Sequence, residues 1–304
     1  MCGFLVMEGN VQDIDRKTFE TEFQKIKHRG PDDHQIVEFP GGLIGFHRLS
    51  IMDLTSHGRQ PFTSNQGNLL VCNGEVYNYE DLKKECGSHQ FVSHSDCEVL
   101  LPLYEAWGIE KLVLNLDAEF AFVIWDVKNQ KLLAARDPMG IRPLFYGFTQ
   151  NKKIVFSSEI KSLVNLCQDV FPFPPGHYYD GENFNSYLDL GLVHLPVLTN
   201  QQVILKGIKD LLTEAVHKRL QSDAEIGFLL SGGLDSSLVC AIAQKFYKKP
   251  IRTFSIGMET DAIDSKYAKD VADFIGADHT NIIMTKTDVL SALREVIYHL
   301  ETWD

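Results

Sequence analysis

A run of seven residues, Ser231-Gly232-Gly233-Leu234-Asp235-Ser236-Ser237, sits where a short apolar stretch, Ile226 to Leu230, gives way to a helical pattern. That order constrains the fold more than any other part of the chain. An apolar run of this length bounded by a glycine turn reads as a strand covered on both faces. A helix after such a turn carries the chain back over the sheet, so the next strand lies parallel to the first. The pattern then repeats. Arg252 to Ile256 reads as a second strand and Ala268 to Ile275 as a helix closed by Gly276. His279 to Met284 reads as a third strand, with helix from Asp288 onward. Ahead of it, Asn200 is placed as an N-cap, and Ile204, Ile208, Leu211, Leu212 and Ala215 follow helical spacing. A βαβαβα order predicts a doubly wound parallel α/β sheet.

The turn itself carries chemistry. Gly232 and Gly233 allow backbone N–H groups to converge, the helix N-terminus adds partial positive charge, and Ser231, Ser236 and Ser237 bring hydroxyls. This is an anion cradle of the kind that takes phosphate. Asp235 beside an anion makes sense if it holds Mg²⁺ that arrives with a nucleotide's phosphates. The spacing fits neither a Walker A loop nor a dinucleotide fingerprint.

The first half has a different pattern. Strand chemistry recurs at Gly3 to Met7, Leu43 to Leu49, Leu69 to Val76, Phe120 to Val127, Lys131 to Arg136, Leu144 to Phe148 and Ile154 to Ser157. Pro40-Gly41-Gly42, Asn73-Gly74 and Asp137-Pro138-Met139-Gly140 read as turns. Helices are expected over Asp15 to Lys27, Ser95 to Trp107 and Glu159 to Leu166, with Ser95 and Glu98 forming a capping box. Many short strands with a few helices predict stacked sheets covered by helices. The pattern breaks at Phe171-Pro172-Phe173-Pro174-Pro175-Gly176, and Asp180-Gly181-Glu182-Asn183 adds a turn, so a domain boundary is expected between Asp180 and Thr199.

At the N-terminus, removal of Met1 would leave Cys2 with a thiol and a free α-amine on one residue. Reference pKa values of about 8.5 and 7.7–8.0 put both near working pH, so the residue could supply its own base. The net charge of −12 excludes a general nucleic-acid binder. No stretch is long and apolar enough to span a bilayer, and the N-terminus lacks the regions of a secretory signal. Six irregularly spaced cysteines without a C-x-x-C pair predict reduced thiols in a cytoplasmic protein, with Cys72 and Cys240 as buried fillers.

The 231–237 segment resembles the pyrophosphate loop (PP-loop) of ATP pyrophosphatases, S-G-G-x-D-S. In order along the first half come Met-Cys-Gly-Phe, His28-Arg29-Gly30-Pro31-Asp32, His47-Arg48-Leu49-Ser50-Ile51, Asn73-Gly74-Glu75-Val76-Tyr77-Asn78 and Ser95-Asp96-Cys97-Glu98. Asp117 to Phe122 and Arg136 to Leu144 extend the set. These resemble class II glutamine amidotransferase domains, which are N-terminal-nucleophile hydrolases. The two halves together are similar to the glutamine-hydrolysing asparagine synthetase family. The resemblance implies an αββα glutaminase sandwich over residues 2–185, then an incomplete PP-loop domain over 200–304.

It also implies roles. Cys2 would attack the glutamine amide, with Asn73 and Gly74 as the oxyanion hole. Arg48 would clamp the substrate α-carboxylate, Glu75 and Asp96 would meet its ammonium, and Leu49, Ser50 and Ile51 would complete the glutamine site. His28 and Arg29 would fix the loop around Cys2, and His47 reads as structural. Leu230, Ser231, Gly232, Gly233, Asp235, Ser236, Ser237 and Ile256 would bind ATP, with Leu230 and Ile256 ending their strands and Asp235 reaching Mg²⁺ through pyrophosphate. Glutamine, aspartate and ATP are the implied substrates, and a homodimer the implied assembly. The family's later S-G-x-G-x-D-E segment has no counterpart here, which predicts a fragment or a short form. An amidotransferase with another acceptor, such as a β-lactam synthetase-like enzyme, and a non-catalytic regulatory short form are the alternatives.

Overall fold

The computed structural model describes residues 1–192, 200–259 and 263–302. The chain divides into two compact units, Met1–His194 and Leu195–Asp304.

Among the described residues the first unit holds twelve strands: β1 (Gly3–Glu8), β2 (Asp33–Phe39), β3 (Gly42–Arg48), β4 (Phe62–Thr63), β5 (Leu69–Val76), β6 (Ala118–Asp126), β7 (Lys131–Arg136), β8 (Phe145–Phe148), β9 (Ile154–Ser157), β10 (Asp169–Pro172), β11 (His177–Tyr179) and β12 (Phe184–Ser186). They form two six-stranded antiparallel sheets, β10-β8-β9-β1-β3-β2 and β12-β11-β7-β6-β5-β4. The helices are α1 (Arg16–Gln24), α2 (Tyr79–Glu85), α3 (Leu100–Trp107) and α4 (Ile109–Leu114).

Side-chain alternation explains the layering. Successive strand residues point to opposite faces. In β1, Phe4 and Val6 join Phe46 and Ile44 in a core shared with Val71, Ala121, Val123 and Trp125 of the other sheet. Leu5, one residue out of phase, packs instead with Phe19 and Phe23 of α1. In β6, Phe120, Phe122 and Ile124 face Leu100, Leu103 and Leu112 of α3 and α4. Both faces of both central strands are therefore buried, which is why their sequences are nearly unbroken apolar runs. The layers are helix, sheet, sheet, helix, as expected.

Three local expectations need correction. Glu159 to Leu166 is no α-helix; only Ile160–Ser162 makes a single 3₁₀ turn. Ser95 does cap, accepting from the Cys97 N–H, but Glu98 does not close a capping box. Its carboxylate accepts from the Val92 and Ser93 N–H groups and the Ser93 hydroxyl instead. Asn73-Gly74 is not a turn: both lie inside β5, opposite Ala121 and Phe120.

The second unit contains α5 (Gln201–Lys218), β13 (Gly227–Leu229), α6 (Leu234–Gln244), β14 (Arg252–Met258), α7 (Ile263–Ile275), β15 (Asp278–Met284) and α8 (Lys286–Leu300). The three strands pair in parallel in sequential order. Asn200 caps α5 by accepting from the Gln202 and Val203 N–H groups, and Gly276 follows α7 at φ +70°. The core is small, built around Val216, Leu230, Cys240, Ile242, Ala243 and Ala272. All six cysteines are free thiols, and Cys72 and Cys240 are buried as expected. Among the described residues no helix is long and apolar enough to cross a membrane.

Candidate active site

Cys2 stands just ahead of β1, and β1 pairs with β3 so that Gly3 faces His47. The Cys2 thiol consequently meets the backbone of Leu49, just past β3: the Leu49 N–H donates to Sγ at 3.4 Å, and Sγ lies 3.5 Å from the Leu49 carbonyl. Burial pushes the thiol up to about 11, against the lowering effect of the Leu49 contact. A thiol in this setting needs a base at hand to become a nucleophile.

The His28–Asp32 segment holds this end of the sheet. Arg29 donates from Nε to the Cys2 carbonyl at 2.9 Å and from Nη1 to Glu159 at 3.0 Å. Glu159 is buried and also takes Lys161 at 2.6 Å and His28 at 3.0 Å. The same carboxylate that anchors Arg29 thus occupies the segment expected to be helical. Gly30 lies so close to β3 that an added Cβ would fall 2.3 Å from the His47 carbonyl carbon. Asp32 accepts from the Ser50 N–H at 2.7 Å. His47 is structural: its ring stacks on Phe23 and its Nε2 meets the Phe23 carbonyl at 3.1 Å. Burial lowers it to about 4, so it stays neutral.

One cavity of about 30 Å³ gathers Cys2, Arg48, Leu49, Ile51, Asn73, Gly74, Glu75 and Asp96. Ser50 is the one glutamine-site candidate outside its lining. Met1 is part of the wall, and the volume that remains takes water rather than an amino acid. Arg142, Gln60, Met52 and Gly58 also line it, and the sequence reading assigned none of them a role. Arg142 is delivered by Asp137, whose buried carboxylate accepts from the N–H groups of Met139, Ile141 and Arg142.

The outer edge of β5 forms the back of the cavity. Phe120 spends its C=O on the Asp137 N–H and its N–H on the Asp137 carboxylate. Gly74 and Phe120 are therefore a close, non-hydrogen-bonded pair, and the Gly74 peptide groups point the other way, to the edge. An added Cβ on Gly74 would lie 2.6 Å from the Glu119 carbonyl oxygen, so only glycine fits. β4 covers this edge only at Leu69 and Leu70. Further along, the Gln60 side-chain amide pairs with Cys72 like a strand residue, accepting its N–H at 2.6 Å and donating to its C=O at 3.2 Å. The Asp96 carboxylate accepts the Val76 N–H at 2.6 Å. Gly74 lies between these two bracketing side chains. Beside it, the buried Asn73 Nδ2 has no partner among the described residues, an arrangement that costs free energy unless a ligand satisfies it.

The charges are of both signs. Arg48 and Arg142 oppose Glu75 and Asp96 around the cavity. Burial and the Asp96 charge push Glu75 up to about 8, and burial pushes Asp96 up to about 6. Both shifts favour the protonated form, and a cation beside the pair would favour ionisation.

The second unit's loop is open by contrast. Gly232 has φ +80°, and an added Cβ would fall 2.6 Å from the Ala268 nitrogen. Gly233 caps α6 without a side-chain hydrogen bond, leaving first-turn N–H groups uncovered. The Ser231 and Ser236 hydroxyls meet each other at 3.0 Å, the Ser237 hydroxyl is buried without a partner among the described residues, and Asp235 is exposed. Leu230 is buried, its N–H bonded to the Phe254 carbonyl at 2.8 Å. Ile256 does not end its strand: β14 runs two residues further, to Met258. No group of three or more His, Cys, Asp or Glu able to hold a metal occurs among the described residues.

A sandwich of two antiparallel sheets flanked by helices, with Cys2 in a small cavity lined by residues of both charges, is the fold of N-terminal-nucleophile amidotransferases. A solved glutamine phosphoribosylpyrophosphate amidotransferase from B. subtilis shares that fold at a TM-score of 0.52 and 17% identity, covering 92% of this chain and 65% of its own. The glutamine amidotransferase domain family matches residues 1–224, and the chain belongs to it. The asparagine synthase family matches residues 207–304. A probable glutamine-hydrolysing asparagine synthetase of Dictyostelium discoideum is 37% identical over all of this chain and 58% of its own length. One of Acanthamoeba polyphaga mimivirus is 39% identical over 60% of its length. The chain spans little more than half the length of these relatives.

Proposed function

We propose that the first unit hydrolyses glutamine at Cys2 and that the released ammonia serves ATP-dependent asparagine formation. The observation that carries this is the unpartnered Asn73 Nδ2 beside the edge-facing Gly74 N–H, in the same cavity as Cys2. Loss of Met1 frees the Cys2 amine and opens the cavity. That amine takes the thiol proton as Sγ attacks the amide carbon, and the oxyanion settles on Asn73 and Gly74. The proton passes to the departing ammonia, leaving a γ-glutamyl thioester that water cleaves to glutamate. Arg48 binds the substrate α-carboxylate, while Glu75 and Asp96 bind its ammonium. Leu49 and Ile51 line the approach, and Ser50 beside them is held to Asp32 through its N–H.

In the second unit the 231–237 cradle takes the ATP phosphates, with Leu230 and Ile256 beside the nucleotide, and aspartate is the acid to be activated by adenylation. The uncovered N–H groups of α6 and the lone Ser237 hydroxyl suit phosphate oxygens. One exposed carboxylate, Asp235, fits Mg²⁺ held mainly by pyrophosphate, where the ion would neutralise phosphate charge. A cytoplasmic homodimer completes the proposal.

Glutamate release from glutamine by the purified chain tests the first half. Cys2→Ala should reduce it to background, and hydrolysis that persists would overturn the assignment. Glutamine-dependent asparagine formation from aspartate and ATP tests the second.

A further inference from the structure

Arg48 is held by the loop that follows it. Its Nη1 donates to the Thr55 carbonyl at 2.6 Å and its Nη2 to the Asp53 carbonyl. Gly58 closes over the guanidinium so tightly that an added Cβ would lie 2.3 Å from Nη2. Two of the five guanidinium N–H donors are spent this way, and the remaining ones can still fork onto a carboxylate.

Asp53 is the centre of this loop. It is buried and adopts φ +56°, the left-handed conformation that Asp tolerates better than most residues. Its Oδ1 accepts from the Thr55 N–H at 2.9 Å and from the Thr55 hydroxyl at 2.6 Å, which locks the second carbonyl under Arg48. Its Oδ2 reaches a different segment and accepts from the His94 N–H at 2.8 Å. Two residues on is Asp96. The backbone of Asp53 therefore touches the residue that would grip the substrate carboxylate, and its side chain holds the segment that would grip the substrate ammonium.

We infer that Asp53 is a positioning residue that sets glutamine affinity by fixing Arg48 and tying it to the Asp96 segment. The inference rests on the reading of the cavity as a glutamine site. Asp53 does not line the cavity, so it acts on binding and leaves Cys2 chemistry alone.

The test uses the full chain, with steady-state glutamine hydrolysis and the rate of Cys2 alkylation by iodoacetamide read side by side. Asp53→Ala should raise KM roughly tenfold or more with kcat and alkylation unchanged, the mark of lost ground-state binding. Asp53→Asn keeps an acceptor and tolerance of the left-handed conformation, and should recover most of that loss. In an Arg48→Lys background Asp53→Ala should add less than about threefold, because the two act as one unit. Should Asp53→Ala fail to fold, Thr55→Val carries the test: it removes the hydroxyl that Asp53 Oδ1 holds, outside the cavity lining, and should raise KM with alkylation unchanged, an unchanged KM overturning the inference. Equal KM penalties for Asp53→Ala in both backgrounds, or a fall in kcat with slower alkylation, would overturn the inference. An Arg48→Lys chain with unchanged KM would overturn the glutamine site itself, and the inference with it.

Discussion

The two candidate sites are built in opposite ways. The first buries its site inside a two-sheet sandwich, where Arg48 is held by the loop that follows its strand and Asn73 and Gly74 by their register in β5. Its Asn73 is 1% exposed. The second presents its cradle at the end of a short parallel sheet, with the Ser231 and Ser236 hydroxyls turned onto each other and large apolar side chains of the unit uncovered. Leu229 is 83% exposed and Phe274 89%. Fixed donors in a buried cavity stabilise developing charge strongly. An open cradle binds an anion that brings its own counter-ions. On the proposed reading, bond-breaking chemistry belongs to the first unit and nucleotide capture to the second.

The largest effect expected is at the oxyanion hole. Asn73→Ala should lower kcat of glutamine hydrolysis by about 10²–10³-fold with little change in KM, measured by glutamate release. A smaller loss would move the oxyanion elsewhere. Gly232→Ala should weaken ATP binding about tenfold or more by calorimetry, since the Cβ meets the Ala268 backbone, and leave hydrolysis in the first unit intact. Loss of both activities would break the separation of roles. Gln60→Leu leaves the Cys72 peptide groups unpaired at the buried edge. It should cost about 1–3 kcal/mol of first-unit stability in urea melts. Below that in size is a pH effect. If the glutamine ammonium binds ionised Glu75 and Asp96, whose carboxyls are both raised by burial, KM should rise as pH falls from about 8 to 6. The same shifts destabilise the substrate-free fold as pH rises from about 4 to about 6 for Asp96 and to about 8 for Glu75, because over that range the unfolded chain has released protons that the native state still holds. Finally, amide hydrogens of β13 to β15 should exchange faster than those of β5 and β6, reflecting the smaller core.

Much of this was legible in the chain. β5, β7 and β9 run over the residues expected, because strands covered on both faces leave unbroken apolar runs. β2 was missed: Asp33–Phe39 is an edge strand, half exposed, with polar residues where alternation would mark a core face. Short helices α2 and α4 lacked the length for a periodic signal. Asn73-Gly74 carries the local signature of a hairpin, and register with β6 overrode it. The Glu159 segment and the Glu98 box failed for one shared reason: each carboxylate found distant or preceding partners that a helix would have denied it. The residues of the site could be named from motifs. Gln60, Asp53 and Gly58 could not, because what they do depends on which backbone groups the folded edge of β5 and the loop after β3 leave unpaired.

The central claim is that Cys2, freed of Met1, is the residue that meets the glutamine amide. Intact-mass spectrometry of the purified chain before and after exposure to a diazoketone analogue of glutamine tests it most directly. The account predicts a chain that has lost Met1, gains one analogue on Cys2, is protected by excess glutamine and takes no label as Cys2→Ala. Full hydrolytic activity with Met1 retained, or a label on Cys72 or Cys97, would contradict it.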